Sequence, residues 1–164
     1  MEKKATKSKF DKIDYNISRW MYVYGKRILR FSLALVFIWF GYLKLIEASP
    51  ASDIIRATVF WFDSDIFLKI LGVWEVAIGV FLCFQKTTRL ALLLLILQMP
   101  GTFLPLVILP EICFVEFPFI LSMEGQYVIK NLILISAAIV IGGTVREIEF
   151  IDDKMPSKEA ESKF

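Results

Sequence analysis

The sequence predicts an all-α integral membrane protein, a bundle of four transmembrane helices with a short interfacial helix in the first outer loop. Apolar residues make up 57% of the 164 residues, and they collect in long blocks instead of being spread periodically. Each block has roughly 16 to 20 residues, and about 20 helical residues cross the hydrocarbon core of a bilayer. The four blocks are Phe31 to Ile46, Ile66 to Phe84, Leu90 to Leu109 and Tyr127 to Val145.

The blocks define one domain with two polar flanks. Residues 28–145 form the predicted four-helix domain, because Ile28 and Leu29 lengthen the first block inward. Residues 1–27 are a basic cytoplasmic or interfacial segment, with no early apolar core or small-residue cleavage site that would indicate a signal peptide. Residues 146–164 mix both charges and are expected to be a disordered cytoplasmic tail.

The distribution of Lys and Arg predicts the orientation. The N-terminal segment up to Arg30 carries nine basic residues, and Lys86 and Arg89 lie between the second and third blocks. The first outer link has only Arg56 against four acidic residues, and the link before the fourth block has three glutamates and no basic residue. Because basic loops stay in the cytoplasm, both termini are predicted to be cytoplasmic.

The basic N-terminal segment has two interpretations. One is topogenic charge that also attracts anionic lipid, supported by the interfacial aromatic residues Trp20, Tyr22 and Tyr24. The other is an arm that binds nucleic acid, but nothing in the sequence resembles a folded recognition module. Membrane lipid is therefore the expected partner, and nucleic acid is not.

The sequence lacks the residues that several classes of enzyme and cofactor site require. There is no histidine, which excludes His-ligated haem, His-type metal sites and Ser-His or Cys-His nucleophiles. Cys83 and Cys113 are expected at opposite membrane faces, too far apart for a disulfide, and no CxxC pair or phosphate-binding loop is present. A self-contained enzyme is disfavoured, although a quinone head group needs no fixed motif.

Glu75 is the most informative polar residue, because it lies near the middle of the second block. A carboxylate at that depth costs about 3 kcal/mol on insertion scales, so it needs a partner or a function. Gly72, Glu75 and Gly79 fall on one helical stripe, and small residues let membrane helices approach closely. This stripe is predicted to face the interior of the bundle.

Other polar residues are predicted to face the same interior. Gln98 in the third helix shares the central layer with Glu75, whereas Lys44, Lys130 and Asn131 lie in a layer nearer the outer face. The expected inward stripes of the other three helices are Phe37-Gly41-Lys44, Gln98-Gly101-Thr102-Pro105, and Lys130-Leu134 with Ala137 or Ala138 and Ile141.

These residues leave two alternatives open. In the structural one, Lys44, Lys69 and Lys130 snorkel to the outer interface. Glu75 is then either protonated and hydrogen-bonded to Gln98, or paired with a lysine. In the functional one, the layer binds a proton or a polar ligand. Lysines, Gln98 and Asn131, with Tyr42 and the indoles of Trp39 and Trp74, would supply donors for a quinone head group or a small anion. The candidate ligand-binding residues are Lys44, Glu75, Gln98, Lys130, Asn131, Trp39 and Trp74.

The third helix and the outer links carry further alternatives. Pro100 and Pro105 interrupt helical hydrogen bonding, as ordinary irregularity or as a kink that opens a pocket beside Gln98. Residues 54–62 of the first outer link indicate a short surface helix that caps the bundle, and residues 113–119 a second lid or a docking surface.

Four segments resemble the DoxX-like membrane proteins, particularly their YkgB-like branch. They are Arg30-Phe31, Phe40-Gly41-Tyr42-Leu43-Lys44, Gly72-Val73-Trp74-Glu75-Val76-Ala77-Ile78-Gly79 and Lys130-Asn131-Leu132-Ile133-Leu134. The branch often has Asp where Asn131 stands. The resemblance covers about residues 30–143 and implies a four-helix bundle in a bacterial inner membrane. DoxX itself is similar to a subunit of a thiosulfate:quinone oxidoreductase, so the resemblance implies a redox-linked context without indicating a thiosulfate site.

Three functions follow as hypotheses. The first is a redox-linked accessory subunit that binds quinone or lipid in the polar layer. The second is a structural subunit of a larger membrane complex, with tight packing and no pocket around Glu75. The third is a small-solute transporter, which would need a homo-oligomer because four helices are few.

Overall fold

The computed structural model describes residues 9–144, and four of its helical segments are long and apolar enough to cross a membrane. They are Phe10–Leu45, Ser64–Cys83, Gln85–Ile108 and Met123–Gly143. The predicted multi-pass helical membrane fold is confirmed at this level, and the sidedness of the termini stays a prediction. Residues 1–8 of the predicted basic segment and the predicted tail at 146–164 lie outside the described residues.

The first helix, α1, spans Lys9–Leu45 and is much longer than predicted. The expected start near Ile28 was wrong, because it was placed where the apolar block begins. Residues 9–27 contain no proline and one glycine, so nothing in their backbone chemistry ends the helix. At 1.5 Å per residue, 37 residues reach about 55 Å, well beyond a hydrocarbon core of about 30 Å.

A short helix, α2 (Ser52–Thr58), occupies the first link, as predicted. The second span, α3 (Ser64–Cys83), follows it. Asp63 begins this span as its N-cap, because its side chain accepts hydrogen bonds from the backbone N–H groups of Asp65 and Ile66.

The third span is divided into α4 (Thr88–Phe103) and α5 (Pro105–Ile108), after a 3₁₀ turn at Gln85–Thr87. Pro100 lies inside α4 without ending it. The break falls at Leu104, directly before Pro105. Proline is tolerated in the first turn of a helix, which explains why a new segment begins there.

The fourth span is also divided, and its helix begins four residues before the predicted block, which starts at Tyr127. α7 runs over Met123–Ile129 and α8 over Asn131–Thr144, with Lys130 at the junction. Ser122 caps α7, since its hydroxyl accepts from the N–H of Gly125. The break places a lysine and an asparagine side by side where the helix is interrupted.

The link between α5 and α7 adds a short β-hairpin, which was not predicted, to the otherwise helical bundle. It contains a helical turn, α6 (Pro110–Cys113), and an antiparallel hairpin of β1 (Phe114–Glu116) and β2 (Ile120–Leu121). Aromatic and β-branched residues favour this extended pairing. The apolar tip of this hairpin is exposed, and the exposed fraction of Phe119 is 89%.

The helices form a closed ring in the order α1, α3, α4 and α8, and α8 returns to α1. The closest pairing is α1 with α3. A Cβ added at Gly41 would lie 2.7 Å from Gly72 O, and one at Gly79 would lie 2.7 Å from Ala34 O. These contacts run in opposite directions along the two helices, so α1 and α3 are antiparallel. Glycine is required because a larger residue would meet backbone.

The apolar core lies toward the Phe84–Thr88 end of this ring. Ile78, Leu82, Leu95 and Ile141 are among its fully buried side chains. The opposite end, which carries α2 and the hairpin and is here called the α2 end, has a smaller cluster around Cys113 and Ile54. The space between these two cores contains the polar residues.

Candidate functional site

The candidate site is built on a buried ion pair between α1 and α3. Lys44 Nζ lies 2.6 Å from Glu75 Oε2 and donates a hydrogen bond to it. Lys44 is 3% exposed and Glu75 is 7% exposed. The proposed snorkelling of Lys44 is therefore wrong, whereas pairing of Glu75 with a lysine, one of the structural alternatives, is what the structure has.

The glycine contacts explain why these two side chains meet. Lys44 follows Gly41 by three residues and Glu75 follows Gly72 by three, so each lies one turn beyond the same close approach. Because the helices are antiparallel, the two turns extend in opposite directions. Side chains tilt toward the N-terminus of their own helix, which points Lys44 and Glu75 back toward each other.

Gln98 completes the polar layer from α4. Its Nε2 donates to Glu75 Oε1 at 2.8 Å, so both carboxylate oxygens have a partner. The predicted sharing of one layer by Glu75 and Gln98 is observed. The other amide atom, Gln98 Oε1, is buried and has no hydrogen-bond partner.

Most residues of the predicted inward stripes are buried or line a cavity, although Lys130 and Gly101 are exposed. Gly72, Glu75 and Gly79 are buried in α3, and Phe37, Gly41 and Lys44 are buried in α1. On α8, Ala137, Ala138 and Ile141 are buried. The α4 and α5 stripe, Gln98 to Pro105, lies along the wall of a cavity.

This cavity has a volume of about 680 Å³ and extends from the polar layer to the α2 end. Apolar side chains make most of its wall. The polar and charged lining residues are Lys44, Thr58, Glu75, Gln98, Thr102, Lys130 and Asn131, with the ring-bearing Trp61, Trp74 and Tyr127. The size is that of a site for a small amphipathic molecule, whose polar part needs a few fixed partners.

Lys130 and Asn131 reach the cavity from the break between α7 and α8. Lys130 is exposed, and Asn131 is half-buried. The Asn131 amide donates to the carbonyls of Tyr127 and Val128, so its N–H groups stabilise the end of α7. Lys130 is therefore the less constrained of the two.

The two tryptophans of the predicted site are placed differently. Trp39 is 60% exposed on α1 and is not part of the cavity wall. Tyr42 is likewise exposed away from the cavity. Trp74 lines it, but its indole N–H already donates to the carbonyl of Leu94 at 3.2 Å. Trp74 therefore contributes a ring surface to the cavity wall, and its indole N–H is already engaged.

The predicted cap at residues 54–62 corresponds to α2, but its contribution to the cavity wall was not predicted. Ile54, Ile55 and Thr58 line the cavity, so this helix covers its end as the predicted cap would. Thr58 is buried, and its hydroxyl donates back to the carbonyl of Ile54. Tyr127 was missed too, and its ring packs 6.4 Å from that of Phe40. Tyr127 lies four residues before Asn131, and this helical spacing could have indicated that the two residues share a face.

Two titratable groups outside the membrane-spanning segments have a raised pKa. The hydrogen bonds that Arg56 donates to Asp65, at 3.1 and 2.8 Å, raise the pKa of the Arg56 guanidinium. Burial raises the pKa of the Cys113 thiol, and the charges of Glu124 and Glu111 raise it further. Both groups are at the α2 end, apart from the polar layer.

Within residues 9–144, no group of three or more His, Cys, Asp or Glu side chains is arranged to hold a metal ion. Comparison of the chain with protein-family models, with curated proteins and with solved structures finds no match. The resemblance to DoxX-like proteins therefore stays a prediction from its short motifs. The chemistry of the site itself suits a ligand with a polar head group beside the ion pair and an apolar tail along the rest of the wall.

Proposed function

We propose that this multi-pass membrane protein binds an isoprenoid quinone or a lipid in the cavity, as a redox-linked accessory subunit of a bacterial inner membrane. The observation that carries the proposal is the cavity of about 680 Å³ with the Lys44–Glu75 pair in its wall. An ion pair at this depth is costly to desolvate, and a polar head group beside it would offset part of that cost.

The shape of the wall supports an amphipathic ligand over a small ion. Lys44, Glu75 and Gln98 form one hydrogen-bonded polar part of the wall, while Phe40, Leu71 and Leu97 provide apolar surface. Leu97 is also exposed on the outside of α4, so the cavity wall continues into the lipid-facing surface. A tail could therefore extend toward the acyl chains while the head stays at the polar layer.

An accessory role is supported by the hairpin. Val115, Phe117 and Phe119 are strongly exposed at the α2 end, which suits docking to another membrane subunit or to a second copy. The family resemblance supplies the redox context. A purely structural subunit without a ligand predicts tight packing around Glu75, and the cavity argues against that alternative. No observation in the described residues favours transport.

Ligand retention tests the proposal. The protein is purified in lipid nanodiscs made directly from its membrane, and quinones and lipids that remain bound are identified by mass spectrometry. Gly101→Leu fills the cavity, because Gly101 lines it and has open space at its Cβ position. Gly143→Leu is the matched control, since its Cβ position is also open but away from the cavity.

We expect a quinone or a specific lipid to be enriched on the wild type and on Gly143→Leu, and reduced on Gly101→Leu. Equal composition of all three samples and of the surrounding bilayer would refute binding in the cavity.

A further inference from the structure

We propose that the cavity selects an amphiphile with an anionic head group, a carboxylate or a phosphate, and that Lys130 is the residue that binds it. The inference rests on the proposed function and narrows it, because it favours an anionic lipid over a neutral quinone.

The cavity wall carries one uncompensated positive charge. Its charged lining residues are Lys44, Lys130 and Glu75, two cations against one anion. Glu75 is already engaged, because its two oxygens accept from Lys44 and Gln98. Among the described residues, Lys130 has no ion pair or side-chain hydrogen bond.

The position of Lys130 suits a head group better than the position of Lys44. Lys130 is exposed at the junction of α7 and α8, where the helix is interrupted. It lies seven residues, about 10 Å, below the start of α7 at the α2 end. A head group bound there would be closer to the membrane surface than one at the Lys44–Glu75 pair, and its tail would lie against the apolar part of the wall.

A lysine in a membrane-spanning segment that lacks an acidic partner is unusual, because such residues are generally paired or face a water-filled path. Lys130 can donate a hydrogen bond to a hydroxyl as well as to an anion, but only the anion adds the attraction of opposite charges. A carboxylate or phosphate should therefore be preferred over a hydroxyl on the same tail by roughly tenfold or more.

Binding of matched ligand pairs tests this selection. The purified full-length protein is placed in nanodiscs of zwitterionic phosphatidylcholine. Palmitate is compared with hexadecanol, and phosphatidic acid with diacylglycerol, so that each pair differs mainly in its anionic group. Affinities are measured by native mass spectrometry at neutral pH. The first pair reports a carboxylate ligand and the second a phosphate ligand.

Lys130→Met removes the charge while keeping a long side chain, and Lys130→Arg keeps the charge. The control is Lys69→Met, because Lys69 is an exposed lysine on α3 that lies outside this cavity and 3.5 Å from Glu47. We expect at least a tenfold preference for the anionic member of one pair in the wild type, Lys69→Met and Lys130→Arg. In Lys130→Met the preference should disappear while the neutral member still binds.

The outcomes separate the two proposals. If neutral and anionic members bind the wild type equally, or if Lys130→Met keeps the preference, anion selection at Lys130 is wrong and amphiphile binding stands. If neither member of either pair binds, the proposed lipid site is wrong and this inference fails with it.

Discussion

Lys44 and Glu75 are separated by 31 residues in the sequence, and their charged atoms lie 2.6 Å apart inside the bundle. The pair joins the two helices that approach most closely, next to the contact between Gly41 and Gly72. The ion pair and the glycine contact depend on each other, since the lysine reaches the carboxylate only if the backbones are this close.

The ion pair should make a large contribution to stability. Lys44→Met leaves a buried carboxylate with Gln98 alone, and we expect the free energy of unfolding to fall by about 3–5 kcal/mol. The double variant Lys44→Met with Glu75→Gln should lose less than the sum of the two single variants, because no uncompensated charge remains. Denaturant titration in detergent micelles measures all three. Strict additivity would show that the side chains do not interact.

The glycine contact between α1 and α3 should tolerate no methyl group. Gly41→Ala places a Cβ against Gly72 O and Val76 N, at 2.7 and 2.8 Å, and should destabilise the protein by about 1–3 kcal/mol. Gly143→Ala is the control, because nothing lies within 4 Å of its Cβ position. It should be neutral or stabilising by up to about 1 kcal/mol. The same unfolding measurement applies, and a stabilising Gly41→Ala would contradict the close packing.

The predicted orientation can be tested by cysteine labelling. In a background with Cys83 and Cys113 replaced by Ser, Phe119→Cys lies at the hairpin tip and Lys86→Cys lies in the turn between α3 and α4. A membrane-impermeant maleimide added to intact cells should label Phe119→Cys and should label Lys86→Cys only after permeabilisation, because basic loops stay in the cytoplasm. The reverse pattern would invert the orientation.

The Cys113 thiol should be unreactive near neutral pH. Burial raises its pKa, and alkylation requires both the thiolate and access. In a Cys83→Ser background, Cys113 should react with maleimide at least roughly tenfold more slowly at pH 7 than the exposed cysteine of Phe119→Cys, because it must wait for local opening.

The pH dependence of stability has a definite sign at this residue. Folding raises the thiol pKa, so the folded state favours the protonated form. The resulting contribution is present below the ordinary thiol pKa and is lost as the pH rises through the raised value. Cys113→Ser should therefore flatten the fall in stability above about pH 9. An unchanged alkaline slope would show that other groups cause it.

The sequence by itself determined the four spans and the residues that face inward. The thickness of a bilayer fixes the length of an apolar run, and the helical period fixes which residues share a stripe, so both can be read locally. Glu75 with its two glycines was recognisable for the same reason. The predicted orientation also comes from the sequence alone, through its uneven Lys and Arg.

Only the tertiary structure decided the partners of those residues. That Lys44 turns inward to Glu75 depends on α1 and α3 being antiparallel and in glycine contact, and no local pattern encodes this register. The placement of Trp39 outside the cavity and of Lys130 at its wall follows from how the helices rotate and break. Helix continuity before Ile28 also escaped the sequence, because hydropathy marks where the lipid begins, whereas hydrogen bonding decides where a helix does.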